Sequence, residues 1–170
     1  MIGRTGSLPT REDAMSEWRN ICCPVDLTEE SHHALREAAR LAHLSGAHLL
    51  ILHVLKGAGL TGAEPVFAPP PHRAPPEPQG SDARLQDWAA EAERTTGRPV
   101  TSVRIQGHAA DEILRFATEQ ACDLIVLGKH ARAGTPRVFR RSVAEMVARR
   151  AAVPVLLVPA AQASDAGKAV

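Results

Sequence analysis

The chain has 170 residues, of which 44% are hydrophobic and 23% are charged, and its formal net charge is +1. A chain of roughly 100–200 residues usually forms one domain, and no apolar run approaches the ~18 residues that a membrane span requires. Three cysteines and a polar N-terminus without the apolar core of a secretory signal indicate a reduced, cytoplasmic protein. The five aromatic residues include no Tyr, so base stacking is disfavoured and a nucleic-acid partner is not expected.

A strand, a helix and a second strand are predicted at the start of the folded region. Residues 1–18 show no periodicity and are predicted to form a flexible arm. Residues 21–25 form an apolar run typical of a buried strand. Thr28 can cap the helix that follows, and Gly46 can end it. The run at 49–55 is too apolar to have a solvent face and predicts another buried strand.

A proline-rich segment, residues 57–80, interrupts this rhythm. Seven of the 13 prolines of the chain lie between Pro65 and Pro78, which excludes a helix or a central strand. We expect a loop insertion on the surface. A docking segment with polyproline character and a lid over a site are the alternatives.

The second half of the chain predicts further alternation of helices and strands. The predicted elements are a helix at 81–96, a strand at 100–105, a helix at 108–121 with Ala121 on its inner face, a strand at 123–128, a helix at 142–150 and a strand at 153–158. Val143, Met146 and Val147 are expected to face the interior. Residues 160–170 are predicted to form a flexible tail. The nearly continuous Val, Ile and Leu strands predict an α/β fold with a doubly wound, five-stranded parallel sheet and helices on both faces.

Positive charge is concentrated in residues 128–150. This stretch holds seven Lys and Arg residues against Glu145 alone, so its net charge is +6 and the rest of the chain carries −5. It begins with Gly128 at the carboxyl end of a strand, where parallel sheets bind ligands, and leads to the helix that Ser142 begins. The pattern predicts a small anionic ligand, with solvated surface arginines as the alternative. Ser142 and Glu145 also form a capping box, which is a purely structural role.

The sequence contains no established catalytic or metal-binding pattern. His48 and His53 have opposite parity on one strand, and neither His-x3-His nor Cys-x2-Cys spacing occurs. Cys22 and Cys23 also point to opposite faces and are interpreted as buried apolar residues, and Cys122 has no partner at Cys-x2-Cys spacing. A nucleophile elbow and a Walker loop are absent as well. We therefore expect a protein that has no metal site and is not an enzyme, with weak ATPase activity as the alternative.

Several short motifs resemble the universal stress protein family (UspA-like). They are Pro24-Val25-Asp26 after the first strand, His53-Val54 closing the second, Leu127 to His130 closing the fourth, and Ser142 to Glu145 before the last strand. The resemblance covers residues 19–159, the predicted domain, and implies an adenine nucleotide alpha-hydrolase-like fold and a stress-response function. It also implies a homodimer across the last strand, at Val155, Leu156, Leu157 and Val158. An apolar strand at a sheet edge favours such pairing.

The resemblance further implies an adenine-nucleotide site, with ATP or AMP as the ligand. The residues that it places there are Pro24, Asp26, Val54, Gly128, His130, Arg141, Ser142 and Val143. Asp26 has a structural alternative as a residue flanking the first helix.

The phosphate side of this site departs from the pattern of ATP-binding members. Gly128 matches the first of three motif glycines, whereas Ala131 and Arg141 replace the other two. Because glycine allows a positive φ and a close approach of backbone to phosphate, we expect a degraded site in a non-catalytic, dimeric protein. One alternative is a regulatory switch in which Arg141 pairs with the phosphates of ATP or AMP. The other is an interaction protein acting through its proline-rich and basic loops.

Overall fold

The computed structural model describes residues 18–55, 80–129 and 142–160. The elements in these ranges are β1 (Asn20–Val25), α1 (Glu29–Ser45), β2 (His48–Leu55), α2 (Ser81–Thr96), β3 (Thr101–Gln106), α3 (Ala109–Glu119), β4 (Leu124–Lys129), α4 (Val143–Arg150) and β5 (Val155–Pro159). Of the predicted arm (1–18), the proline-rich segment (57–80), the basic loop (129–141) and the tail (160–170), the structure describes only Trp18, Gly80, Lys129 and Ala160. None of the described helices has both the length and the apolar character needed to cross a membrane.

The five strands form one parallel sheet in the order β3-β2-β1-β4-β5. The predicted five-stranded parallel sheet is thereby confirmed. From β1 the chain adds β2 and β3 on one side, and then crosses to add β4 and β5 on the other. The direction of winding therefore reverses between β1 and β4. The carboxyl ends of these two strands form the topological switch point, where open α/β sheets bind their ligands.

Helices cover both faces of the sheet, as predicted. On one face α1 and α2 pack over a buried cluster that includes Cys23 and Ile51. On the other face α3 and α4 pack over a second cluster that includes Cys22 and Leu52. Neighbouring strand residues belong to different clusters because successive side chains point to opposite faces of a strand. Together with the reversal of winding between β1 and β4, the helices on both faces make this a doubly wound sheet.

Local sequence signals set the ends of the first two helices. The Oγ1 of Thr28 accepts a hydrogen bond from the N–H of Ser31 at 3.4 Å and caps α1. Gly46 ends this helix in the left-handed conformation, with a φ of 72°. Gly97 ends α2 in the same way, and its N–H donates to the carbonyl of Glu93 at 2.9 Å. The two boundary residues predicted for the first helix, Thr28 and Gly46, are confirmed.

Two predictions about inward-facing residues are wrong. The third helix ends at Glu119, so Ala121 lies beyond it as an exposed turn residue with a φ of 46°. Val143 is 37% exposed instead of facing the interior. The helix that it begins has only eight residues, and its inward stripe consists of Ala144 and Val147, one turn apart.

Candidate ligand site at the carboxyl edge of the sheet

β1 and β4 pair only over a short distance, and the region between the carboxyl ends of these two strands is called the crevice below. Their register joins Ile21 to Leu124 and Cys22 to Ile125, whereas β1 pairs with β2 along its whole length. We attribute the short pairing to Pro24, a predicted site residue that is buried within β1.

The nitrogen of Pro24, which carries no hydrogen, faces β4. The carbonyl of Asn20 accepts a hydrogen bond from the N–H of Asp123 at 2.8 Å, so the polar backbone groups of Asn20 point toward β4. Every second residue of a strand has the same backbone orientation, which places the nitrogen of Pro24 on this side. Proline has no N–H to donate, and the strands are therefore unpaired above Cys22.

A tight turn after β1 fixes the carboxylate of Asp26. The N–H and the Oγ1–H of Thr28 both donate to its Oδ1, at 3.1 and 2.6 Å. Between them Leu27 has a φ of 62°, which is uncommon for a residue with a side chain and is held here by the Asx turn. Asp26 itself is exposed. It thus both flanks the helix and presents an oriented carboxylate at the edge of the crevice.

Gly128 allows the end of β4 to approach the first turn of α1. A Cβ atom at this position would lie 2.7 Å from the carbonyl oxygen of Glu30 and 3.2 Å from the nitrogen of Ser31. Only glycine fits such an approach without a backbone shift. The packing therefore explains this glycine independently of any contact with phosphate.

β2 contributes Val54 and His53 to the same edge. Val54 is partly buried against the cluster below α3 and α4. The Nδ1 of His53 lies 2.8 Å from the carbonyl oxygen of Val25. A carbonyl can only accept, so Nδ1 carries the proton and ties the last residue of β1 to β2. This role of His53 is not evident from the sequence, because its only signal is the register position opposite Val25.

The N-terminus of α4 provides the remaining described part of the site. The Oγ of Ser142 accepts a hydrogen bond from the N–H of Glu145 at 3.1 Å, which is the structural role expected from the capping box. Ser142 is exposed, as is Val143. The first turn of α4 is thus accessible to solvent. The other predicted site residues, His130 and Arg141, and the replaced motif position Ala131, lie outside the described residues.

The positive charge of residues 128–150, which the sequence led us to expect around one anionic ligand, does not all lie at one site. Two of its arginines lie elsewhere. Arg149 and Arg150 lie in the last turn of α4, where they complement the helix dipole. Arg150 also pairs with Asp111 of α3 at 2.7 Å. An eight-residue helix is about 12 Å long, so both arginines are at the end remote from Ser142.

Two other cations do lie at the carboxyl edge. Lys129 is the last residue of β4 and is exposed. Arg84 belongs to the first turns of α2, and its Nη1 donates to the carbonyl of Leu27 at 3.2 Å. This bond holds a guanidinium group beside the turn that fixes Asp26. Arg84 could not be predicted as a site residue, because nothing in the sequence around it indicates a partner 57 positions away.

An open cleft of about 730 Å³ lies at the opposite end of the sheet, at the amino ends of β1 and β2. Its lining includes Trp18, Arg19, His48 and Arg98. The Nη1 of Arg98 already donates to the carbonyl of Gly46 at 2.6 Å. The cleft contains none of the predicted site residues and lies away from the switch point, so we do not assign the ligand to it.

The outermost strand on the other side of the crevice is β5, which pairs with β4 alone. The edge position that favours a dimer is as expected. Within this strand Leu156 is 39% exposed, whereas Val158 is 6% exposed. Val155 and Leu157 are partly buried against the cluster below α3 and α4. Pairing of two chains through this strand remains a prediction.

The described residues also bear on metal binding. In residues 18–55, 80–129 and 142–160, no group of three or more His, Cys, Asp or Glu side chains is arranged to hold a metal ion.

Comparisons with known proteins point to one family. Residues 17–159 match the universal stress protein family. A universal stress protein of Thermus aquaticus is 33% identical over 142 residues, covering 83% of this chain and 98% of its own length. Another, from Methanocaldococcus jannaschii, is 28% identical over 143 residues, covering 83% of this chain and 82% of its own. The crystal structure of a universal stress protein in complex with cAMP shares the fold, with a TM-score of 0.64 at 20% identity over 85% of this chain and 98% of that one.

Proposed function

The chain belongs to the universal stress protein family, and from this premise we propose that it is a non-catalytic stress-response protein that binds an adenine nucleotide at the crevice between β1 and β4. We further propose that its phosphate side is altered, so that AMP or a cyclic monophosphate is preferred to ATP.

The observation that carries this proposal is the oriented carboxylate of Asp26 beside an unpaired stretch of β1. The crevice lies at the switch point of the sheet, where ligands of open α/β proteins bind. A carboxylate accepts hydrogen bonds from ribose hydroxyls or from the exocyclic amine of a base. Val54 adds an apolar surface on the neighbouring strand. These features suit the adenosine part of a nucleotide.

The phosphate side supports a ligand with few phosphates. Of the three motif glycines only Gly128 is present, and its packing against Glu30 explains why glycine is needed there even without a phosphate. Ala131 and Arg141 lack the freedom and the small size that a chain wrapped around a triphosphate needs. The exposed first turn of α4, with Ser142, still offers backbone N–H groups and a positive dipole to one phosphate. The complex of a related fold with cAMP is a precedent for a monophosphate ligand.

The proposal does not include turnover of the ligand. Hydrolysis of a phosphoric anhydride requires a positioned water and cations at the transferred phosphate. At the crevice, the Oδ1 of Asp26 is engaged by two donors of Thr28. This carboxylate is thereby better suited to hold a ligand than to activate water.

Calorimetric titration of the full chain with AMP, cAMP and ATP tests the proposal. The wild type is expected to bind AMP or cAMP more tightly than ATP. Arg141→Gly should raise the affinity for ATP by about tenfold, corresponding to ~1.4 kcal/mol, because it restores space at a motif position. Arg149→Ala is the control. It removes the same charge at the remote end of α4 and should leave the affinities for AMP, cAMP and ATP unchanged.

Other results of this titration would support one of the alternative functions. Tight binding of ATP by the wild type that Arg141→Gly abolishes would establish the regulatory switch that uses Arg141 for phosphate. Absence of heat with all three ligands in both proteins would refute nucleotide binding. In that case partner capture that is lost on deletion of residues 60–79 would favour the interaction protein.

A further inference from the structure

The turn between β1 and α1 has a strained residue at its centre. Leu27 has a φ of 62°, a conformation that glycine and asparagine adopt readily and that leucine adopts only when its surroundings hold it there. Its neighbours Asp26 and Thr28 form the two hydrogen bonds that orient the carboxylate of the candidate site. The backbone conformation of Leu27 therefore determines where this carboxylate lies.

Two contacts hold Leu27 from different directions. Its side chain is partly buried and packs against the cluster below α1 and α2. Its carbonyl accepts a hydrogen bond from the Nη1 of Arg84 at 3.2 Å. A change of Leu27 to a negative φ would reorient the peptide groups beside it and so break the bond to Arg84.

The backbone of Arg84 is firmly placed, although its side chain is exposed. Its N–H donates to the carbonyl of Gly80 at 3.0 Å in the first turn of α2. The next residue, Leu85, is buried in the cluster below α1 and α2. An ion pair also ties Asp82, in the first turn of α2, to β3. The guanidinium group thus reaches Leu27 from a part of α2 that is fixed to the sheet.

The bond from Arg84 is comparable in free energy to the strain that it opposes. A leucine in the left-handed region costs about as much as a hydrogen bond from a charged donor contributes. Loss of this bond is therefore sufficient to shift the turn toward conformations with a negative φ at Leu27. In these conformations the N–H of Thr28 no longer points at the carboxylate of Asp26.

We propose that Arg84 is a positioning residue for the nucleotide. It holds Leu27 in the left-handed conformation and thereby keeps the carboxylate of Asp26 oriented at the crevice, without itself contacting the ligand. The effect on the ligand rests on the proposed nucleotide site, whereas the effect on the turn does not. The two are therefore tested by separate measurements.

NMR spectra of the full chain without ligand test the effect on the turn. A positive φ brings the amide proton and the Hα of a residue to their closest approach, so Leu27 should give a strong intraresidue NOE in the wild type. Arg84→Ala should weaken this NOE. Arg94→Ala is the control, because it removes the same charge from the last turn of α2, and it should leave the NOE unchanged. An unchanged NOE in Arg84→Ala would overturn the proposal.

A double-mutant cycle with AMP tests the effect on the ligand. In a chain with Leu27, Arg84→Ala should weaken AMP binding by about tenfold, as measured by calorimetry. Glycine adopts the left-handed conformation without strain, so in the Leu27→Gly background the same change should weaken binding by about twofold or less. Arg94→Ala should leave the affinity for AMP unchanged. A normal circular dichroism spectrum confirms that each variant folds.

The cycle distinguishes this role from two others. Equal losses of affinity in both backgrounds would show that Arg84 acts on the ligand through its charge, and would overturn the proposal. A lower midpoint of thermal unfolding in Arg84→Ala with unchanged affinity for AMP would show a purely structural role, and would overturn it as well. If the wild type binds no AMP, the nucleotide site itself is refuted, and the NOE of Leu27 still confirms or overturns the effect of Arg84 on the turn.

Discussion

A methyl group added at residue 128 would collide with the peptide group between Glu30 and Ser31. We expect Gly128→Ala to lower the free energy of unfolding by about 1–3 kcal/mol, because its Cβ would lie 2.7 Å from the carbonyl oxygen of Glu30 and relief of this contact would require a shift of the backbone of β4 or α1. Urea denaturation measures this loss. Gly107→Ala is the comparison, since its Cβ would lie 2.6 Å from the Cγ of Glu112, a side-chain atom that can shift at the cost of the exposed ion pair with Arg115, so we expect a smaller loss. Equal losses in the two variants would contradict the packing argument.

Ser142 allows the structural and the ligand-binding roles of one residue to be separated. Asp caps helices as well as Ser does, and its charge suits a helix N-terminus. Ser142→Asp should therefore leave the unfolding free energy nearly unchanged while weakening AMP binding by tenfold or more, corresponding to ~1.4 kcal/mol, through repulsion of the phosphate.

Ser142→Ala completes this comparison, with an expected loss of about 1 kcal/mol of stability because the cap is removed. Wild-type affinity for AMP in Ser142→Asp would show that the phosphate does not lie at α4.

Single residues were predictable where their partners are near in the chain. Thr28 and Gly46 depend on a few neighbouring backbone groups, and both were identified from local signals. His53 and Arg84 bond to carbonyls that are 28 and 57 positions away. No local pattern encodes such distances, so these two contributions to the site required the tertiary structure.

At the scale of elements, one carboxylate joins α1 to α2. The Oε2 of Glu91 lies 2.8 Å from the Nε2 of His32, and its Oε1 accepts from the Nε of Arg36 at 2.8 Å. His32 in turn stacks on Trp88, with ring centroids 4.3 Å apart. Partial burial opposes ionisation, but the hydrogen bonds from Arg36 and His32 lower the pKa of Glu91 overall.

This lowered pKa makes the junction of the two helices sensitive to acid. The ionised carboxylate is stabilised in the folded state, so its contribution is complete above the unfolded pKa of about 4.3 and is lost as the pH falls through the lower folded pKa. Glu91→Gln should cost about 0.5 kcal/mol at pH 7, because the group is partly exposed, and the difference from the wild type should vanish at strongly acidic pH.

Urea denaturation at both pH values measures this dependence. Glu37→Gln is the control, because it removes an ion pair within α1 and leaves the contact between the helices intact. A difference between wild type and Glu91→Gln that does not change with pH would contradict the electrostatic explanation.

Element types were predictable because a strand and a helix leave different periodicities in the sequence. The inward face of α4 was not, since an eight-residue helix contains too few turns for Val143 and Ala144 to be distinguished by pattern. The order of the strands was also inaccessible. A parallel crossover can place the next strand on either side of the last one, and only packing selects β4 as the neighbour of β1.

For the whole molecule, the residues that concentrate positive charge in the sequence are not the same as those that place positive charge beside the crevice. The net charge of +6 in residues 128–150 is real, but Arg149 and Arg150 lie at the far end of α4. Arg84, which lies outside this stretch, is placed beside the crevice by its bond to Leu27. A charge sum over the sequence therefore predicts an anionic ligand, but it cannot assign individual cations to the carboxyl edge.

Assembly is a second property of the whole molecule. We expect two chains to pair through β5, because an exposed apolar residue on an edge strand favours addition of another strand. Leu156→Lys should convert the dimer to a monomer in sedimentation experiments, since a charge at an edge opposes pairing. Ser102→Lys, an exposed position on the other edge strand β3, should leave the dimer intact. A monomeric wild type, or a dimeric Leu156→Lys, would contradict this assembly.

The central claim is that an adenine nucleotide binds at the crevice between β1 and β4. Titration of isotopically labelled protein with AMP, followed by amide chemical shifts in NMR spectra, tests it most directly. The account predicts saturable shifts at the carboxyl edge, at Asp26, Thr28, Val54, Lys129 and Val143. Absence of shifts, or shifts confined to Arg19, His48 and Arg98 in the cleft at the opposite edge, would contradict it.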